Sequence, residues 1–311
     1  MRIAILGRTH LLLASAELSA AQGHTIALVA TAQAAPEYRA REAEFAAFAH
    51  RHDAPFFDCP DVNGPEFVAA LRAASADIAI SVNWPTLVRE EACQSIRSGI
   101  LNAHAGDLPR YRGNACPNWA ILNDEPHIGL CIHAMDPTAL DAGPIYARAK
   151  FDLAPDTYIA DVYAWLDRTI PPLFVQAIAN AAQPGFVPED QSSSKLRPLR
   201  THPRRPEDAR IDWRGDAAAI VRLVRASSRP FAGAFTFLEG KERVTIWRAR
   251  VAQMDHDVIA VPGQIIGRSE QRQPLVACGT GVIAIEEGEC VSGQPIPGAN
   301  RYRFATEGSA V

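Results

Sequence analysis

The chain predicts a two-part α/β architecture: a Rossmann-like, mostly parallel sheet first, then a smaller β-barrel-like C-terminal domain. Three observations predict it. Apolar strand-like runs alternate with helix-favouring stretches over the first ~180 residues, the pattern of right-handed βαβ units. Short strand-like runs crowd the last third of the chain, as in small barrels. A Pro-, Ser- and Arg-rich stretch at 183–205 separates the two. A length of 311 residues suits two domains of about 100–200 residues. The expected division is 1–190 for the first domain, 191–205 for a linker and 206–311 for an OB-like β domain.

The elements follow in order. Ile3-Ala4-Ile5-Leu6, closed by Gly7, is an uninterrupted apolar run and predicts a buried strand. The Ala- and Leu-rich stretch 11–21 predicts a helix that Gly23 stops. Residues 25–29 form a second strand, 42–52 and 66–74 two helices, 78–82 a third buried strand, and a fourth begins at 99–102. Ligands of such sheets sit outside the carboxyl ends of the strands, which places Asn102 and its successors at a functional position. In 128–134, Ile128, Leu130, Ile132 and Ala134 share one face while Gly129, Cys131 and His133 share the other, a half-buried strand. A long helix over 158–180 should break or kink at Pro171-Pro172. Beyond the linker, 217–226 reads as a helix and 235–238, 244–249, 263–266, 275–277 and 282–285 as short strands. The small, polar last ten residues or so are expected to fray.

With 48% hydrophobic and 21% charged residues the composition is ordinary for a globular protein with a real core. A net charge of −4 offers no overall attraction to a polyanion or an anionic membrane. No apolar run reaches the ~18–20 residues that span a bilayer. The N-terminus enters the first strand with no small-residue cleavage site, so a cytoplasmic protein without a signal peptide is expected. The six cysteines lack CxxC spacing and read as reduced, packed thiols; neither a disulfide frame nor a metal site is expected. Charge is unevenly divided. Residues 1–190 hold 13 basic and 22 acidic side chains, net −9, and residues 191–311 hold 18 and 13, net +5. Arg197, Arg200, Arg204, Arg205, Arg222, Arg225 and Arg229 carry much of that excess, which reads first as a solvated face.

Gly7 is followed by Arg8-Thr9-His10-Leu11, so the G-x-G-x-x-G cradle for a dinucleotide is absent, as is a P-loop. The informative stretch runs from Leu101 to Gly113. Asn102 and His104 are two apart at a strand end, so both side chains can point the same way. A carboxamide beside an imidazole is equipment for acyl transfer: the amide stabilises a developing oxyanion and the imidazole moves protons. Asp141, in the loop after the strand ending near Ala134, is the candidate acid that would fix the imidazole.

The run L-N-A-H-x-G-D-L-P-R-Y-R-G at 101–113, followed by D-A-G-P-I at 141–145, resembles the folate-dependent formyltransferases. That family includes methionyl-tRNA formyltransferase, glycinamide ribonucleotide formyltransferase and the sugar N-formyltransferases. R-P-E-D-A-R-I-D-W at 205–213 and the stretch from Val224 to Phe235 resemble the C-terminal module of the tRNA and sugar enzymes. One departure is Ala105-Gly106-Asp107, which replaces the commoner Gly/Ser-rich segment before Leu-Pro.

The resemblance implies N10-formyltetrahydrofolate as donor, a primary amine as acceptor and no metal. It implies that His104 holds the amine as free base and later passes a proton towards N10, that Asn102 binds the formyl oxygen, and that Asp141 orients the imidazole. The folate is expected near Asn83, Trp84, Pro85 and Leu87, with Asp136 and Ala139 on the loop that the family uses for the pterin. Arg8, Arg110, Tyr111, Asn114 and Asn118 are the acceptor-side candidates, Tyr111 being favoured as loop support. The segment 31–44 is short and near neutral where the tRNA enzymes carry a basic insertion, which with the acidic first half disfavours tRNA. Pro117-Asn118-Trp119 resembles the sugar enzymes, and a helix beginning near Asn114 would offer N–H groups to a nucleotide-sugar phosphate. The expected acceptor is therefore a nucleotide-linked amino sugar. Methionyl-tRNA, an amino-acid amine such as hydroxyornithine, and a non-enzymatic folate-binding relative are the alternatives. Likeness to the sugar enzymes also implies a homodimer, and from charge and apolar run length no membrane partner is expected.

Overall fold

The chain, described by a computed structural model over residues 1–35 and 38–305, divides into two compact units. The expected fraying of the terminus falls for the most part outside the described residues. The first unit comprises Met1–Gly113, Ile128–Phe151 and Ala164–Thr201; the second comprises Asn114–His127, Asp152–Tyr163 and the chain from His202 onward. The division is not one cut along the sequence, as a linear reading draws it. The stretch 191–205 stays with the first unit as far as Thr201.

The first unit opens with β1 (Arg2–Gly7), α1 (His10–Ala21), β2 (Thr25–Thr31), α2 (Glu42–Arg51), β3 (Phe56–Asp58), α3 (Pro65–Ala74), β4 (Ile78–Val82), α4 (Glu90–Gln94), β5 (Ile100–His104) and the two-residue β6 (Arg112–Gly113). The segment α5 (Cys116–Leu122) lies in the second unit, and β7 (His127–Ala134) and β8 (Ile145–Asp152) follow. Seven strands form one sheet in the order β3-β2-β1-β4-β5-β7-β8. β1, β2, β3, β4 and β5 run parallel, and β7 pairs antiparallel with β5. All five residues of β4 are buried, as continuous apolar strands of parallel sheets are. β1 lies between β2 and β4, so the chain order reverses there and opens a crevice at the strands' carboxyl ends. Thr9 starts α1 by accepting from the Leu12 N–H, and Leu12 and Ala16 of that helix are buried.

The break expected at Pro171-Pro172 does not occur. α6 (Ile159–Ala182) runs unbroken through Pro171 and Pro172. Each mid-helix proline costs ~3 kcal/mol, but burial of a large apolar side chain returns ~1.5–3 kcal/mol. Trp165, Leu166, Ile170, Leu173, Phe174 and Ile178 are all buried on this helix, so packing outweighs propensity. The stretch read as a linker is also structured. It contains β9 (Arg200–Thr201), which pairs in parallel with β6.

In the second unit, α7 (Ala217–Ser227) starts at Asp216, whose carboxylate accepts from the N–H groups of Ala218 and Ala219. β10 (Ala234–Leu238), β11 (Glu242–Ala252), β12 (Ile265–Arg268), β13 (Pro274–Ala277), β14 (Val282–Cys290) and β15 (Phe304–Ala305) form a curled antiparallel sheet, ordered β12-β13-β14-β11-β10-β15. Its core gathers Ile220 and Val224 of α7 with Trp213, Val244, Ile246, Ile283 and Phe304. Trp213 and Phe304 stack with ring centroids 5.2 Å apart. Both predicted parts of the fold are therefore present: a mostly parallel sheet, and a separate half-barrel of antiparallel strands. Among the described residues no helix is long and apolar enough to cross a membrane.

Candidate active site

β5 ends at the crevice with Asn102 and His104 on one side of the strand. β7 pairs with it so that Asn102 lies opposite His133 and His104 opposite Cys131. Directly opposed residues of an antiparallel pair share a face, so the register brings His133 beside Asn102. The Asn102 Nδ2 lies 3.4 Å from His133 Nε2, and the two imidazole rings meet edge to face with centroids 6.0 Å apart.

The loop after β7 doubles back and delivers Asp141 between the two imidazoles. Its Oδ2 lies 3.6 Å from His104 Nδ1, and its Oδ1 lies 3.6 Å from His133 Nε2. The Gly113 N–H donates to Oδ2 at 2.8 Å. Close approach makes this return possible: a Cβ on Gly143 would stand 2.1 Å from the Ala134 carbonyl oxygen. Burial on its own would raise the Asp141 carboxyl. The contact with His133, the charges of His104 and His133 and the Gly113 N–H outweigh it and hold Asp141 at about 2.

His104 is buried, and its Nε2 is 2.6 Å from the carbonyl oxygen of Tyr111, which can only accept. Nε2 therefore carries a proton here. Nδ1 faces a carboxylate, so both ring nitrogens face acceptors, an arrangement that the imidazolium satisfies. His133 donates from Nδ1 to the Ala134 carbonyl at 2.8 Å. The Asn102 amide carries two N–H groups; one lies toward His133 Nε2, which also faces Asp141 Oδ1, and the other is left for a ligand.

The loop between His104 and Tyr111 is fixed from below. Arg148 of β8 donates to Asp107 at 2.5 Å, to the Leu108 carbonyl at 2.8 Å and to Glu189 at 2.8 Å. The residue by which the sequence departs from the commoner family segment, Asp107, is thus an anchor for that loop. Gly106 permits the turn itself: a Cβ there would stand 2.4 Å from Tyr111 O and 2.6 Å from His104 Nε2. Gly106→Ala should displace the imidazole and lower kcat by on the order of 10²-fold. Steady-state kinetics on a variant with an unchanged circular dichroism spectrum checks this.

The remaining sequence candidates fall into two groups. Asn83, Trp84, Pro85 and Leu87 occupy one loop after β4, and Asp136 and Ala139 the loop that ends in Asp141. Asn83 has φ +55, and its Nδ2 donates to the Tyr38 hydroxyl, so its side chain holds the loop. Trp84 is half-buried, packs against the first unit's core and donates to Thr86. Leu87 is 73% exposed and Leu140, beside Ala139, 37% exposed, two apolar side chains left to solvent. Asp136 accepts from the Thr138 N–H and hydroxyl, which keeps its pKa low.

The acceptor-side candidates have mostly structural duties. Arg8 donates to the Asn83 and Gln33 carbonyls and so ties together the ends of β1, β2 and β4. Tyr111 is buried at φ +56 and acts through its carbonyl, while the Arg110 guanidinium lies over its ring. Asn118 is buried in the second unit and donates to the Ala226 carbonyl at 2.8 Å. Asn114 is exposed in that unit, and the expected helix is the seven-residue α5, starting at Cys116. His133 and Gln191 join the constellation, and neither stands among the sequence candidates. For His133 the available signal is its place on the face of β7 opposite Ile128, Leu130 and Ile132, a face that the structure buries as well.

Sequence models of the formyltransferases cover both units: the one described as Formyl transferase matches residues 1–178, and Formyl transferase, C-terminal domain matches 204–303. The chain belongs to the folate-dependent formyltransferase family. The methionyl-tRNA formyltransferase of Chloroflexus aggregans is 32% identical over 306 residues, covering 96% of each chain. Two solved structures share the fold. The N-formyltransferase of Helicobacter canadensis, in complex with folinic acid and dTDP-3-aminofucose, superposes with a TM-score of 0.64 at 15% identity over 92% of this chain and 99% of its own. HypX of Aquifex aeolicus in complex with tetrahydrofolic acid superposes with a TM-score of 0.58 at 18% identity, covering 93% of this chain; this formyltransferase spans only 44% of HypX. The protein is an enzyme of formyl transfer.

Proposed function

We propose that this formyltransferase moves the formyl group of N10-formyltetrahydrofolate to the primary amine of a nucleotide-linked amino sugar. The convergence of Asn102, His104 and Asp141 carries the reaction. The donor supplies an electrophilic formyl carbon; Leu87, Leu140 and the edge of Trp84 offer apolar surface suited to a pterin. Asn102 directs its free N–H at the formyl oxygen as that oxygen gains charge. In the exchange a bond forms from the amine nitrogen to the formyl carbon, the bond to N10 breaks, and one proton passes from the amine to N10. His104 is the group placed to carry that proton. Starting as the imidazolium, it gives its Nε2 proton to N10 and takes one from the amine in return, so loss of the Nε2 hydrogen bond to Tyr111 belongs to the cycle. Asp141 supports the imidazolium and holds the ring.

The acceptor assignment rests on where the positive charge goes. Binding a polyanion needs free cations to displace phosphate counterions. The first half of the chain is net −9. In the basic second half, much of the arginine excess is spent within the second unit. Arg225 donates to the carbonyls of Thr157 and Ala154, Arg222 pairs with Asp124, Arg204 donates to Ser227, and Arg229 pairs with Glu287. Methionyl-tRNA is the second reading, favoured by 32% identity to an enzyme of that name over nearly the full chain. Incubation with formylfolate and a panel of methionyl-tRNA, nucleotide-linked amino sugars and hydroxyornithine, read by mass spectrometry, decides between them. Formylation of the tRNA alone would remove the sugar assignment.

Asn102→Ala should lower kcat by about 10²–10³-fold and leave KM nearly unchanged, because its contact to the formyl oxygen strengthens in the transition state. A rise in KM with kcat intact would assign Asn102 to ground-state binding instead.

A further inference from the structure

The segment 189–191, which the sequence places at the seam between domains, is built into the constellation. Gln191 is 3% exposed and its carboxamide is engaged at both ends. Its Nε2 donates to the carbonyls of Asp141 at 2.9 Å and Gly143 at 2.7 Å. Its Oε1 accepts from Arg112 Nε at 3.2 Å and Nη2 at 2.7 Å. Asp141 requires such a hold. Its φ is +51, in the left-handed region that a non-glycine residue keeps only where its surroundings impose it. The carboxylate of Asp141 is held by the N–H of Gly113, the neighbour of Arg112, so one short strand reaches Asp141 both directly and through Gln191.

We propose that Gln191 is a positioning residue for formyl transfer, locking the Asp141 backbone in the conformation that turns its carboxylate towards His104 and His133. The proposal rests on the role given to Asp141 and is independent of the acceptor. An amide is required because two of its contacts are donations. Glutamate would keep its attraction to Arg112 but set lone pairs against the Asp141 and Gly143 carbonyls.

The test uses the full chain with Gln191→Ala, Gln191→Glu, Asp141→Asn and the Gln191→Ala/Asp141→Asn double variant. Turnover is measured with whichever acceptor the panel identifies, and the His104 imidazole is titrated by 15N NMR without substrate. Asp141 faces that ring and His133 of β7 meets it edge to face; His133 is unchanged in every variant, so a shift shared with Asp141→Asn reports on Asp141. Each Gln191 variant should lose about tenfold or more in kcat, with KM for formylfolate within about twofold. The double variant should be no slower than Asp141→Asn alone, because residues acting as one unit are not additive. The His104 midpoint should move in Gln191→Ala in the direction it moves in Asp141→Asn. Multiplying losses in the double variant, or an unmoved His104 titration, would overturn the proposal. Failure of both Gln191 variants to fold would overturn it too, since Gln191 would then be structural. The NMR arm needs no amine, so an error in the acceptor assignment leaves it readable.

Discussion

Replacing His104 by alanine is expected to lower kcat by on the order of 10²–10⁴-fold, the usual worth of a positioned acid–base group. The ring is buried between a carbonyl and a carboxylate, and the neighbouring His133 spends Nδ1 on the Ala134 carbonyl and cannot take over both contacts. The loss should be in turnover with folding retained, since the change removes one ring and leaves the strand ladder of β5 in place. Rapid-quench measurement of the formylated amine alongside circular dichroism makes the comparison. A variant that is folded and fully active would take His104 out of the reaction.

Asp141→Asn is the second large effect. The amide keeps the shape of the carboxylate and loses its charge, so the support for the His104 imidazolium disappears. With its NH2 at the Oδ2 position the new amide would also face the Gly113 N–H, donor against donor. A fall in kcat of about 10³-fold is expected, comparable to losing the orienting acid of other base–orienter pairs. The same substitution should change acid stability, and the sign can be worked out. The folded carboxyl titrates at about 2, below its ordinary 3.8. Above about pH 4 both folded and unfolded forms are ionised and the stabilisation is fully present. As pH falls the unfolded chain takes up its proton first, so the contribution drains away and is gone once pH passes below 2. Denaturant titrations at pH 5 and pH 3 should therefore show a smaller loss of stability for Asp141→Asn than for the wild type. Equal losses would mean that the depressed carboxyl does not arise from the folded constellation.

Much of the fold was legible because its signals are local. The apolar runs 3–6 and 78–82 each need only a few neighbouring residues to be read, and so does the alternation over 128–134, which locates β7 but misses that the strand is buried on both faces from Ile128 to His133. The two-residue spacing of Asn102 and His104 is equally local, and period two put both side chains on one side of β5. The failures are non-local. Pro171 and Pro172 should break a helix on propensity, yet the apolar face around them is buried and the helix continues. Beyond sequence reach, too, are the intramolecular partners of Asn83, Arg8 and Asn118, which are Tyr38, two loop carbonyls and the Ala226 carbonyl.

By itself the sequence determined that this protein pairs a parallel α/β sheet with a small antiparallel one, and that a carboxamide and an imidazole share a strand end. Tertiary structure alone decided what surrounds them. The pairing register of β5 and β7 set His133 opposite Asn102, a left-handed backbone at Asp141 aimed the carboxylate, and a glutamine from an apparent linker held it there. The physical reason is one of range: strand periodicity is written in consecutive residues, whereas register and long-range hydrogen bonds depend on which distant segments pack together.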